Sequence, residues 1–268
     1  MVPDLASCRT GSLSAATRQN ALAVLNQIRA LHELQPVVYD AAGEEAAMSA
    51  SLMMLANGRL DHQPPSSWTC FSAAGLDGAQ TSNLATTGAG TTPEGDVILW
   101  LTDRGNLTTD IVGHRRWLLD PFLASVSYGR VDTTVTRLAG AAALRVIGNA
   151  DARLSSAPTF VAYPYHDYPV RYFAQGAALS FSVVAGAADR GASGKVDFSA
   201  AQIDVAQRGG AAVAVSAASF DNQGYGLADN LQFSIGSVAD NTVCDVTISN
   251  VRVAGVASNH TYWFRVVR

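Results

Sequence analysis

Ile111-Val112-Gly113-His114-Arg115-Arg116-Trp117-Leu118-Leu119-Asp120-Pro121 sets one imidazole, two guanidiniums and an indole between apolar residues. Burying that many polar groups is costly unless each finds a partner. The candidate partner set lies upstream, around His62 and Asp103, and the functional reading turns on whether those residues meet. For Arg115 and Arg116 the ordinary uses are capping helix carbonyls or pairing with Asp110 or Asp120. Binding an acidic ligand is the less ordinary one.

Upstream of this stretch the chain reads as helices. Ser14 or Thr17 can cap a helix whose apolar residues Leu22, Leu25, Ile28 and Leu31 recur at helical spacing, and it must end before Pro36. His32 is expected on the surface of that helix. Asp40 caps a second helix, with Glu44 and Glu45 at its positive end and Ala46, Ala47, Ala50, Met53 and Met54 as its core face. Gly58 stops it, and His62 follows shortly after. From Ser66 to Thr92 periodic apolar residues are sparse and the segment reads as a long loop, with Thr81-Ser82-Asn83-Leu84 its most ordered part. Thr92-Pro93-Glu94 opens a third helix carrying Val97, Leu99, Trp100 and Leu101 and finishing near Asp103 and Gly105.

Downstream, Val126–Val131 and Leu144–Ile147 alternate as strands, so helices followed by strands predict a layered α+β domain over residues 1–150. A short linker runs from Asp151 to Pro158. Beyond it, after Phe160–Tyr163 leads into a turn, lie about seven short, mostly alternating runs, from Leu179–Val183 to Tyr262–Val266, separated by Gly, Asn and Asp turns. They predict an all-β immunoglobulin- or fibronectin-like sandwich over residues 151–268. The aromatic turn around His166, Tyr163-Pro164-Tyr165-His166-Asp167-Tyr168-Pro169, suits packing better than recognition.

A chain of 268 residues is comfortable for two domains, and 48% hydrophobic against 15% charged residues allows sizeable cores. The formal charge of −4, with no basic run, argues against nucleic acid as a partner. No apolar run approaches the roughly 20 residues that cross a bilayer. Cys8 and Cys70 both fall in irregular segments and can staple the N-terminal arm to a loop, as suits an oxidising compartment; two free thiols are the alternative. Cys244 sits on the apolar side of an alternation and reads as a buried free thiol. No secretory leader is legible, as expected of a mature chain.

The order of short motifs resembles the CAP superfamily of cysteine-rich secretory, antigen 5 and pathogenesis-related proteins, in its bacterial secreted form. The resemblance runs through Asn26-Gln27-Ile28-Arg29, Asn57-Gly58-Arg59-Leu60-Asp61-His62, Ser82-Asn83-Leu84, Val97–Trp100 and Gly113–Leu119, over roughly residues 15–150. It implies a three-layer α-β-α sandwich with a central cavity lined by two histidines and two acidic residues, and a secreted, periplasmic or cell-surface location. His62 and His114 match the histidines, which in the family can hold a divalent metal such as zinc. Asp103 approximates one acid. Ser82 stands where many members carry a glutamate, so the second acid is missing.

Each of these residues also has an ordinary reading. Asp103 at a helix C-terminus is either exposed and unimportant or held by Arg104, Arg115 or a protonated histidine. A lone histidine is commonly a satisfied core residue, and a tight zinc site takes three or four protein ligands. Ser82, His62, His114 and Asp103 have the composition of a nucleophilic triad, yet Thr-Ser-Asn-Leu is an ordinary turn. The expectation is therefore a cavity that binds a small apolar ligand, a protein partner or a divalent metal. A metal-assisted or serine hydrolase is the alternative.

Overall fold

Ser14, not Thr17, starts the first helix: its Oγ accepts the Thr17 amide at 3.1 Å. In the computed structural model the described residues are 3–104, 106, 111–134, 138–150, 154–156 and 158–268; Gly105, Asp110 and Asp151 lie outside them. In chain order the first half comprises α1 (Ala15–Leu31), β1 (Val38–Tyr39), α2 (Glu44–Asn57), α3 (Ala73–Thr81), β2 (Ser82–Thr87), α4 (Pro93–Thr102), α5 (Gly113–Leu118), β3 (Ser125–Asp132) and β4 (Gly140–Arg145). Asp40 caps a single 3-10 turn that feeds α2. The helix closes on Gly58 in the left-handed conformation, φ 63°.

The expected loop from Ser66 to Thr92 is corrected, because it contains α3 and β2. Ser72 caps α3 by accepting the Gly75 amide. The helix lies against α2 through small residues: a Cβ on Gly78 would come within 2.1 Å of the Ala46 carbonyl oxygen. Close backbone approach replaces a stripe of large apolar side chains, so the usual periodicity is missing.

Two compact units divide the chain. The first is Met1–Gln27, Pro36–Trp100 and Leu123–Ala150; the second is Ile28–Gln35, Leu101–Phe122 and Asp151–Arg268. In the first unit a four-stranded sheet has the order β1-β3-β4-β2, parallel between β1 and β3 and antiparallel elsewhere. Alternation along β3 sorts its two faces. Gly129 faces α2, where a Cβ would lie 2.2 Å from the Ala47 carbonyl carbon. Its neighbours Tyr128 and Arg130 face the other way and both bond Asp96 of α4. Helices therefore cover both faces, as a three-layer α-β-α sandwich requires. Leu52, Met53, Met54, Trp68, Leu84 and Val131 build the core under α2.

Cys8 and Cys70 form the disulfide that the sequence allowed. It anchors a turn, closed on itself by the Asp4–Arg9 backbone pair, to the loop before α3. Leu5 and Leu13 of the arm pack on the α2 core.

The second unit contains β5 (Phe160–Tyr163), β6 (His166–Pro169), β7 (Leu179–Val183), β8 (Val196–Asp197), β9 (Gln202–Gln207), β10 (Ala212–Val213), β11 (Val215–Asp221), β12 (Asn230–Ile235), β13 (Val243–Val253) and β14 (Val256–Val267). One sheet runs β10-β9-β13-β14-β6 with β8 beside β13, and the other runs β11-β12-β7-β5. Phe181, Phe233, Phe264, Val246 and Ile248 share the core of the two sheets. Cys244 is there as a buried free thiol. The sandwich is as expected, with two additions. The segment read as an aromatic turn supplies β6, parallel to β14, while Tyr163, Tyr168 and Tyr172 are buried. The largely exposed β11 adds an edge whose register shifts between Ser216 and Ser219.

Segments 28–35 and 101–122 bring three buried arginines into this second unit. Arg29 donates to the carbonyls of Gln35, Leu118 and Asp120. Arg115 donates to Leu101 and Thr102 at the end of α4 and to the Ala178 carbonyl, and its guanidinium lies 3.8 Å from the Tyr163 ring centre. Capping of carbonyls is thus the use found for Arg115. Arg116 also donates to carbonyls, those of Ile111, Leu227 and Ala228. Its carboxylate is Asp221, at 2.9 Å, and not Asp120, which faces Arg190 at 2.8 Å; Asp110 lies outside the described residues. The expectation for His32 is also corrected. It is buried at 2% exposure, with Nε2 3.0 Å from the Tyr168 hydroxyl. The helical pattern could not show that a second set of aromatic residues covers that side.

Two stability predictions follow from these contacts. Closing a loop of this length restricts the unfolded chain by about 4 kcal/mol in the chain-entropy account, so Cys8→Ser should lower urea-unfolding stability by up to that amount. Arg115→Met should cost about 3 kcal/mol or more, because it removes the guanidinium donor from the Leu101, Thr102 and Ala178 carbonyls while keeping the volume. A loss under about 0.5 kcal/mol would refute that role.

Candidate functional site

His114 stands at the second position of α5 and donates through Nδ1 to Asp103 Oδ1 at 2.8 Å. Of the partners open to Asp103 on sequence grounds, the structure selects this histidine. Asp103 is 1% exposed in its side chain, with the backbone in the left-handed region at φ 54°. Asn106 Nδ2 donates to the same oxygen at 2.8 Å. The other oxygen, Oδ2, is buried with no hydrogen-bond partner among the described residues. Val112, just before α5, is also left-handed at φ 40°, a costly conformation for a β-branched residue.

His62 belongs to the first unit, on the loop after α2. Asn57 bridges the ends of that loop, donating to the Thr69 carbonyl and accepting the Thr69 amide. His62 is exposed, and its Nδ1 lies 2.7 Å from the Ala79 carbonyl oxygen of α3. A carbonyl only accepts, so Nδ1 carries the proton. In neutral His114 the Asp103 carboxylate fixes the same tautomer. Both rings therefore present Nε2 as the nitrogen with the lone pair, which is the orientation that a carbonyl or carboxylate behind a ligand-binding histidine imposes.

Ser82 sits where α3 passes into β2, paired in register with Arg145. It is 4% exposed, and its Oγ has no hydrogen-bond partner among the described residues. Among those residues no three His, Cys, Asp or Glu side chains are grouped to hold a metal ion. Arg115 and Arg116 are spent on carbonyls and Asp221, which leaves neither as an open anion site.

Sequence reasoning missed the groups that orient the two rings. The Ala79 carbonyl was invisible because α3 was, although Ser72 ahead of a small-residue run was a cap signal. Asn106, three residues beyond Asp103, carried no motif. The loop Asp221–Asp229, which grips Arg116, lay in the other predicted domain.

Two buried ionisable groups in the second unit titrate far from their ordinary ranges. Burial pushes His32 down to about 3, helped by Arg115 and Arg29. Burial pushes Asp229 up to about 7 against the opposing Val183 amide and Arg116. Asp229 Oδ2 accepts that amide, while Oδ1 is unpartnered among the described residues.

A family model, CAP, described as the cysteine-rich secretory protein family, matches residues 22–138. No curated protein matches the chain.

The pH dependence of stability follows from the two shifts, with opposite signs. The unfolded chain protonates histidine below 6.5 and the folded chain does not until about 3, so the His32 contribution is lost as pH falls through that window. For Asp229 the folded state retains the proton up to about 7 and the unfolded state releases it near 3.8, so its contribution is lost as pH rises between those values. Asp229→Asn, which keeps an oxygen for the Val183 amide, should therefore gain stability relative to wild type from pH 4 to 7 and level off above. Denaturant unfolding over that series checks it; parallel wild-type and variant curves would contradict it.

Proposed function

Residues 22–138 match the CAP family model, and from that match we propose that the chain is an extracellular binding protein whose ligand-facing groups are the imidazoles of His62 and His114. The observation that carries this reading is the shared commitment of Nδ1. Each ring gives its Nδ1 proton to a fixed acceptor, so each offers Nε2 as a hydrogen-bond acceptor or a metal ligand. A ligand of matching chemistry brings hydroxyl or amide N–H donors on an otherwise apolar body, from a small molecule or a protein surface. Asp103 positions His114 by accepting the hydrogen bond from its Nδ1. The Cys8–Cys70 disulfide and the family both fit an oxidising, extracytoplasmic compartment. No helix among the described residues is long and apolar enough to cross a membrane.

Zinc or a similar cation is the other occupant these nitrogens would accept. Two imidazoles fall short of the three protein ligands of a tight catalytic zinc site, so no step is assigned to a metal. Hydrolysis by Ser82 would need a base on its Oγ, and none is hydrogen-bonded there among the described residues.

Native mass spectrometry of protein purified from its secreting host should show a bound mass that disappears in both His62→Ala and His114→Ala. Ester and peptide panels should show no turnover in any of the three proteins. Cleavage by wild type that is lost in both variants would overturn the binding reading in favour of a hydrolase. Wild type carrying no bound mass, or both variants retaining it, would remove the two histidines from the reading.

A further inference from the structure

The helix that carries His114 is gripped from one side by a single loop of the C-terminal sandwich, Asp221–Asp229. Arg116, two residues after His114, is 5% exposed and places Nη1 2.9 and 3.1 Å from the two Asp221 carboxylate oxygens. Its Nη2 donates to the carbonyls of Leu227 and Ala228 at 3.2 and 3.0 Å. Between these contacts Tyr225 lays its ring over the same guanidinium at 5.5 Å and against Gly113, where a Cβ would meet Tyr225 Cδ1 at 3.4 Å. Gly226 closes the grip. It has φ 68°, and a Cβ there would stand 2.3 Å from the Arg116 carbonyl oxygen, so backbone lies directly on backbone. Asp221 is itself held by Asn230 Nδ2 and the Gln223 amide.

The grip is matched by strain on the helix it holds. Val112 and Asp103 are both non-glycine residues in the left-handed region, one directly ahead of α5 and the other the hydrogen-bond partner of His114. Such conformations persist where the surroundings over-determine them. The Asp221–Asp229 loop supplies that constraint on the α5 side.

We propose that Asp221 and Tyr225 are positioning residues for His114, acting through Arg116 and Gly113, so that the sandwich domain sets the orientation of an imidazole that the CAP segment supplies. The sandwich is then a working part of the binding site and not a spacer. This rests on the reading of His114 as ligand-facing, but its first test does not require a ligand.

Imidazole nitrogen-15 NMR of histidine-labelled full-length protein reads the His114 tautomer directly, assigned by its loss in His114→Ala. Wild type should show Nδ1 protonated and Nε2 not. Asp221→Asn should remain folded and shift the His114 pair toward the averaged values of a mobile ring. Tyr225→Ala should do the same without changing charge. Asp245→Asn breaks the exposed Arg208 pair with the same charge change and should leave His114 as in wild type. Folded Asp221→Asn and Tyr225→Ala with His114 signals superimposable on wild type would overturn the proposal. So would an equal shift in Asp245→Asn. The bound mass of the preceding section should weaken several-fold in the two loop variants. Were no bound mass found in wild type, the binding reading alone would fall and the tautomer readout would still decide the positioning role.

Discussion

Three buried guanidiniums are satisfied mainly by neutral backbone oxygens, and the second unit depends on them. Burying a guanidinium costs several kcal/mol of desolvation whatever its partner, and only a full set of hydrogen bonds offsets it. Arg115 avoids a direct carboxylate partner: Leu101, Thr102, Ala178 and the Tyr163 ring surround it. Burial pulls Arg29 down only to about 10, so it is still charged at neutral pH. Each guanidinium ties carbonyls from separate segments, among them the end of α4, the turn after α5 and the strand region around Ala178. Removing one arginine takes a donor from several of these carbonyls at once. That is why segments 28–35 and 101–122 group with the sandwich strands.

The first unit uses a different economy, built on close approach. Gly129 and Gly78 bring backbone directly against α2, where a Cβ would not fit. The polar exception lies on the opposite face of the sheet, where Asp96 accepts both the Tyr128 hydroxyl and Arg130. Burial raises the Asp96 carboxyl, with Arg130 opposing that shift. The missed helix α3 matters here for function as well as packing, since its Ala79 carbonyl orients His62.

Much of the fold was legible, for reasons that particular residues make plain. Ser14, Asp40 and Gly58 are local signals, decided within a few residues, and the structure follows them. The Cys8–Cys70 bond and the buried Cys244 were readable because irregular context and strand alternation separate the two kinds of cysteine. The α3 helix was not readable, since glycine and alanine packing leaves no apolar stripe. His32 was misplaced because a helix face exposed by its own pattern was covered by Tyr163 and Tyr168 from far along the chain. Asp221 as the partner of Arg116 was likewise a long-range fact. The stretch from Ile111 to Pro121 announced that its polar groups needed partners. It named His114 and Asp103 correctly as neighbours, but it could not say that the rest of its partners came from the second half.

Native-state hydrogen exchange, read amide by amide, tests most directly whether the buried arginines weld the 101–122 segment to the sandwich. The account predicts that protected amides in α5, such as those of Arg116 and Leu119, open with the same free energy as those in β7 and β12, as members of one cooperative unit. If the α5 amides exchange through a separate opening while the sandwich strands stay closed, those bonds do not hold the two together and the account is wrong.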